Sequence, residues 1–190
     1  MKILSIECSC QHGSVSVLHD GDLIQTWDFE CPRGRGNSLF THLESALRIS
    51  PPVDTVVVGT GPGGYNGLRA SISAAWGIAR ARGASLAGVS SLLGYDAGEY
   101  FVAGDARAGQ WFLAHVAQGV FIAPPLLYTP EDLRQMLRPG VPVFSTGPLT
   151  GLTDAIVRAP SATVLAGREF STSMPAPLYL KPPHITKPGT

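Results

Sequence analysis

The sequence predicts an α/β protein in which one βββαβα unit is built twice, the second copy shortened. Three observations carry that prediction. Short apolar strands alternate with helices along the chain instead of collecting in separate blocks. Glu7 to Gly21 is fourteen residues, and so is Asp105 to Gly119. Thr60-Gly61-Pro62 after one strand recurs as Thr146-Gly147-Pro148 after another, and Gly67-Leu68 has a counterpart in Gly151-Leu152. The shared order of these matches makes chance a poor explanation. Their period, about 100 residues, is too long for a solenoid.

Lys2–Ile6 reads as a strand turned by 7–13. Ser14–Leu18 runs back with Val15 and Val17 on one face, and Asp20-Gly21 is a strong hairpin signal before a third strand, Leu23–Phe29. After a loop at Cys31–Gly36, Asn37 or Ser38 caps a helix reaching about Arg48. Its apolar face holds Leu39, Phe40, Leu43, Ala46 and Leu47, and Pro51-Pro52 ends it. Asp54–Val58 is a strand, followed by a glycine-rich loop and a second helix. Leu86–Val89 is a further strand, with a short helix from Ser90 to about Asp96. The order then restarts with strands at Tyr100–Gly104, Gln110–Ala117 and Val120–Ile122. The helix in 129–137 is capped by Thr129, with Pro130 in its first position and Glu131 and Asp132 next. Val141–Phe144 is a strand. Leu152–Val157 reads as a short helix, Ala159–Ser173 carries little pattern, and Met174–Thr190 is proline-rich. The expected division is 1–98 and 99–173 as two lobes, with 174–190 as a tail or an extended closing segment.

The stretch Gly59–Arg82 organises the chain. Gly61, Pro62, Gly63, Gly64, Tyr65, Asn66 and Gly67 form a loop, because no regular element tolerates that density of Gly and Pro. Such glycines let backbone amides approach a ligand, or let another backbone approach closely. Strand, glycine loop, helix is an anion-binding layout, although no Walker motif and no acidic partner at dinucleotide spacing accompany it. Asn66 is a candidate N-cap, and Gly83 is a natural stop after Arg80 and Arg82. In the helix, Leu68, Ile72, Trp76 and Ala79 form an apolar stripe. Ala70, Ser71, Ala74, Ala75, Gly77 and Ile78 make much of the rest. A helix apolar or small nearly all round is buried on more than one side, within its own domain or against a second chain.

Composition narrows the classes. Lys plus Arg and Asp plus Glu both number 14, so the net charge is zero and autonomous nucleic-acid binding is disfavoured. No run approaches the ~20 apolar residues of a membrane span, and the N-terminus lacks a signal-peptide core. Together with Cys8, Cys10 and Cys31, an odd number that implies no disulfide framework, this predicts a cytoplasmic protein.

A duplicated βββαβα unit with an acidic turn in each hairpin describes the actin-like (ASKHA) architecture, two lobes around a cleft. By position, the vestiges of a nucleotide cleft are Glu7, Asp105, Arg107 and Gly147, with Ser145–Gly147 as the later glycine turn.

GTGPGGYNGLRASISAAWGIA resembles the GxGPGSFTGxRxGxxxAxGLA signature of the TsaB (YeaZ) family. Gly88–Leu92 is similar to its GVSTL, Asp105–Phe112 to its DARxGEVY, and Pro177–Lys181 to its PxYLR. The match is collinear over roughly 1–181. The resemblance implies a non-catalytic partner of TsaD, which with a TsaE-like ATPase attaches threonylcarbamoyl to adenosine next to the tRNA anticodon. It implies pairing, with itself as a homodimer or with a TsaD-like protein, through two first-lobe helices. The implied interface residues are Leu39, Leu43, Leu47, Arg69, Ala70, Ser71, Ala74, Ala75 and Ile78. It implies no catalytic residue, no metal and no cofactor of its own, with ATP or ADP bound only within the complex and tRNA met only indirectly. Three departures stand out: Ile6-Glu7-Cys8 in place of Ile-Asp-Thr, no His before the first helix, and the short second half. All weigh against independent nucleotide hydrolysis and leave pairing untouched.

The alternative is an actin-like small-molecule or acyl-phosphate kinase or ATPase acting on its own. Its weakness is chemical. No two of the five histidines have the His-x3-His spacing of TsaD-like chains, and Asp96, Glu99 and Asp105 have no surrounding motif of a catalytic base. A serine hydrolase would need a Gly-x-Ser-x-Gly elbow, which is absent.

Overall fold

The structure, a computed structural model, describes residues 1–31, 37–49 and 52–181. Its elements are β1 (Lys2–Glu7), β2 (His12–His19), β3 (Asp22–Glu30), α1 (Asn37–Ile49), β4 (Thr55–Gly59), α2 (Tyr65–Arg82) and β5 (Ser85–Val89). After a 3-10 turn at Ser91–Leu93 come β6 (Glu99–Asp105), β7 (Trp111–Ala117), β8 (Val120–Tyr128), α3 (Pro130–Met136), β9 (Val143–Ser145), β10 (Ile156–Val157) and α4 (Ala162–Ala166). The expected loop 32–36, the helix break at Pro51 and the tail beyond 181 lie outside the described residues.

The duplication is topological as well as sequential. The first sheet runs β3-β2-β1-β4-β5 and the second, in the same sense, β8-β7-β6-β9-β10. In each, the first three strands form an antiparallel meander and the last two add in parallel, with Ile6 opposite Val15 on one side and Val58 on the other. This is the actin-like fold. β4 explains its own continuous apolar run: Val56, Val57 and Val58 are all fully buried, because a parallel central strand has both faces covered. β8 carries Pro124-Pro125, which an edge strand tolerates because it has no second partner to serve.

α1 and α2 cover one face of the first sheet. Leu39, Leu43, Ile72, Ala75 and Ala79 pack there onto Leu4, Ile6, Val15, Val17, Val56 and Val58. The opposite face holds Ile3, Leu18, Val57 and Val89 against Leu165 and Ala166 of α4. The amide of Ala162 donates to Ser14 Oγ at 2.9 Å, fixing α4 on β2. Sequence alone put 99–173 in one lobe, yet α4 packs on the first sheet. The short helix expected at 152–157 is instead a turn followed by β10, which pairs with β9. Among the described residues no long helix follows β9, so the second half has α3 but no counterpart of α2, which is how it is shortened. Leu93 packs against the cores of both halves.

Candidate functional site

The glycine loop is built to meet backbone. Gly64 N donates to the Ser9 carbonyl at 2.6 Å, and Gly61 N to Ser91 Oγ at 2.9 Å. A Cβ on Gly63 would fall 2.1 Å from Ser9 O, and one on Gly67 2.3 Å from Cys8 O. No side chain fits at either position, so the glycines serve the close approach of the turn after β1. Ser90 Oγ and Ser91 N both donate to the Gly61 carbonyl, tying in the turn after β5. α2 begins at Tyr65 with Gly64 as its N-cap and no side-chain cap bond; Asn66, the expected cap, lies inside the helix.

α2 sorts its residues differently from the expected stripe. The buried set is Leu68, Ser71, Ile72, Ala75 and Ala79. Spacings of four, three and four residues keep 68, 72, 75 and 79 on one face, whereas Trp76 lies about 100° from Ala75 and is half exposed. Ser71 and Ala75 are therefore corrected from interface to core. Ser71 Oγ donates to the Leu68 carbonyl inside its own helix. Leu39 and Leu43 of α1 are likewise buried under the helices, though Leu43 still lines a surface groove.

That groove, about 610 Å³, runs between α1 and α2 and is open to solvent. Phe40, Leu43 and Leu47 form one wall and Ala74, Gly77 and Ile78 the other, with Glu44, Arg48 and Arg82 also lining it. Phe40 is 55% exposed, a large apolar side chain without cover. Ala70 packs beside this wall, against the first core. Arg69 does not line the groove: its guanidinium lies over the Tyr65 ring on the other flank of α2, 5.0 Å from the centroid, and Nη1 donates to Tyr65 Oη. The sequence put Phe40 on the apolar face of its helix and Gly77 among the small residues of the next, but neither was among the expected interface residues; both are exposed in the fold.

The four cleft residues are not equivalent. Glu7 is fully buried, accepting from Ser9 N at 2.5 Å and lying so close to Gly59 that a Cβ there would fall 1.8 Å from its Oε2. Burial pushes its carboxyl above the usual range, against the pull of hydrogen bonds from Ser9 and Ser91. Asp105 is exposed and accepts from Arg107 N at 2.7 Å, closing a local turn in which Arg107 adopts φ 61°. Gly147 accepts from Ser145 Oγ at 2.8 Å in a turn of its own. Among the described residues, no three His, Cys, Asp or Glu side chains come together as a metal site.

The C-terminal segment, expected as a tail or an extended closing segment, crosses between the two halves. Pro175 lies against Gly88, Leu178 N donates to the Thr60 carbonyl at 2.8 Å, and Tyr179 stacks on Tyr65 with centroids 5.6 Å apart. Leu180 joins the core of the second half, and Lys181 Nζ donates to the Arg107 carbonyl at 2.8 Å. No helix among the described residues is long and apolar enough to cross a membrane.

A family model described as TsaD, tRNA N6-adenosine threonylcarbamoyltransferase, matches residues 38–114. The tRNA threonylcarbamoyladenosine biosynthesis protein TsaB of Escherichia coli is 27% identical over 126 residues, covering 60% of this chain and 54% of TsaB. An uncharacterized Mycobacterium leprae protein is 35% identical over 144 residues, covering 69% of this chain and 39% of that protein. The chain thus spans about half or less of the length of these curated relatives. YeaZ from Pseudomonas aeruginosa superposes with a TM-score of 0.68 at 23% identity, over 94% of this chain and 99% of that one. A second Pseudomonas aeruginosa structure, an uncharacterized protein with similarity to peptidase YeaZ, gives 0.70 at 22%, over 95% and 99%.

Proposed function

We propose that the chain is a member of the TsaB/YeaZ family and a scaffold subunit in the threonylcarbamoylation of adenosine beside the tRNA anticodon. Its role is to bind and order a TsaD-like transferase without performing chemistry itself. The observation that carries this reading is the open apolar groove between α1 and α2, walled by Phe40, Leu43, Leu47, Ala74, Gly77 and Ile78. Apolar surface of this kind gains free energy when a partner covers it, and small residues on one wall permit close helix approach. A second copy of the chain would pair isologously through the same groove, and a related enzyme could replace one copy. A TsaE-like ATPase and tRNA would then be met through the complex, and ATP or ADP would be held there.

The catalytically silent role is supported by the state of the cleft. Glu7 is buried behind the glycine loop, where desolvation raises its carboxyl pKa, and the carbonyl of Arg107 accepts from Lys181. The test is affinity purification of the tagged chain from its native cells. Recovery of a TsaD-like protein in stoichiometric amount is expected. Recovery of the chain alone, with steady ATP turnover abolished by Asp105→Ala, would overturn the proposal in favour of an independent kinase or ATPase.

A further inference from the structure

The head of α2 lacks the usual means of stabilisation. Its N-cap is a glycine without a side-chain bond, no acidic residue occupies its first turn, and Arg69 follows close behind with the charge that opposes the helix dipole. Something else must hold it. Ser9 O accepts from Gly64 N beneath it, and residues 175–181 lie across it.

Those seven residues make contacts of four kinds. Pro175 fits against Gly88, where a Cβ would come within 2.8 Å of both Pro175 Cβ and Thr60 Cγ2. Leu178 N is bonded to the Thr60 carbonyl, one residue before the glycine loop. The Tyr179 ring stacks on Tyr65, the first residue of α2, and Tyr65 in turn carries the Arg69 guanidinium. Leu180 and Lys181 anchor the far end in the second half. The segment thus crosses the carboxyl ends of the parallel strands, where open α/β sheets hold their ligands.

We infer that residues 175–181 are an intramolecular strap that braces the uncapped start of α2 through Thr60 and Tyr65, and that seating the strap sets the order of the glycine loop and, through α2, the affinity of the α1–α2 groove. This rests on the proposed pairing function. Tyr179 is its positioning residue: the ring acts on Tyr65, and the groove lies on the other flank of the helix.

The experiment compares wild type, Tyr179→Ala, Tyr179→Phe and Ala74→Glu. Hydrogen exchange is read at the amides of Gly61, Gly64 and Leu68, and association by sedimentation with the TsaD-like enzyme of the same cells. Tyr179→Ala should speed exchange at these amides about fivefold, the worth of one aromatic pair, and weaken association by a similar factor. Tyr179→Phe, which keeps the stacked ring, should restore both. Unchanged exchange in Tyr179→Ala overturns the strap. Faster exchange with unaltered association overturns its control of the groove. If Ala74→Glu leaves association intact, the interface reading fails, and the exchange arm still judges the strap on its own.

Discussion

At the residue scale, Glu7 shows how a residue can be legible in the sequence while its burial is not. The acidic residue at the end of β1 was legible from the hairpin spacing; that it would be sealed in was not, because the seal comes from Gly59 and Ser91, far along the chain. Its carboxyl titrates higher folded than unfolded. The stability tied to the neutral acid is therefore fully present below the ordinary value of 4.5 and is lost as pH rises through the folded value. Glu7→Gln removes this titration. The variant should gain stability relative to wild type as pH is raised from 4 to 8, measured by denaturant unfolding at each pH. A constant difference across that range would show that Glu7 ionises freely. Gly67 is the converse case: a Cβ would collide with Cys8 O, so Gly67→Ala should lower unfolding free energy by about 2–4 kcal/mol.

At the scale of elements, α2 decides the account. Neighbouring alanines are predicted to differ. Ala75 is fully buried among core side chains, so Ala75→Glu strands a charge in the core and should unfold the protein, at a cost above about 4 kcal/mol. Ala74 lines the groove, so Ala74→Glu should keep the melting temperature within a few degrees. Far-UV circular dichroism and thermal melts separate the two. Periodicity located this helix and its small residues, but it took Trp76 for an inward residue because 68, 72, 76 fits the apolar pattern as well as 68, 72, 75 does. Aromatic bulk outweighed the alanine in the reading; in the fold, room beneath the helix chose the alanine. α4 was invisible for another reason. Five residues cannot show a helical period, and α4 forms because Leu165 and Ala166 have a sheet face to cover.

At the scale of the molecule, the duplication was legible because each half repeats its turn signals in the same order, and turns are local. The crossing of 175–181 from one half to the other was not, because nothing in a proline-rich segment states what it will touch. Surface charge belongs to this scale too. With 14 basic and 14 acidic residues, the chain alone should bind tRNA only weakly, with affinity falling steeply as salt is raised. Submicromolar binding that persists at physiological salt would show a nucleic-acid surface of its own.

Pairing through the α1–α2 groove is the central claim, and sedimentation of the chain mixed with the TsaD-like enzyme of its own cells tests it most directly. Phe40 stands 55% exposed at one wall, so Phe40→Ala should leave folding within about 0.5 kcal/mol while weakening the complex by about 2 kcal/mol or more. Ala74→Glu should abolish the complex outright. A complex that forms with wild type and is lost in Ala74→Glu at unchanged secondary structure is the predicted result; one that survives both substitutions at wild-type affinity would contradict it.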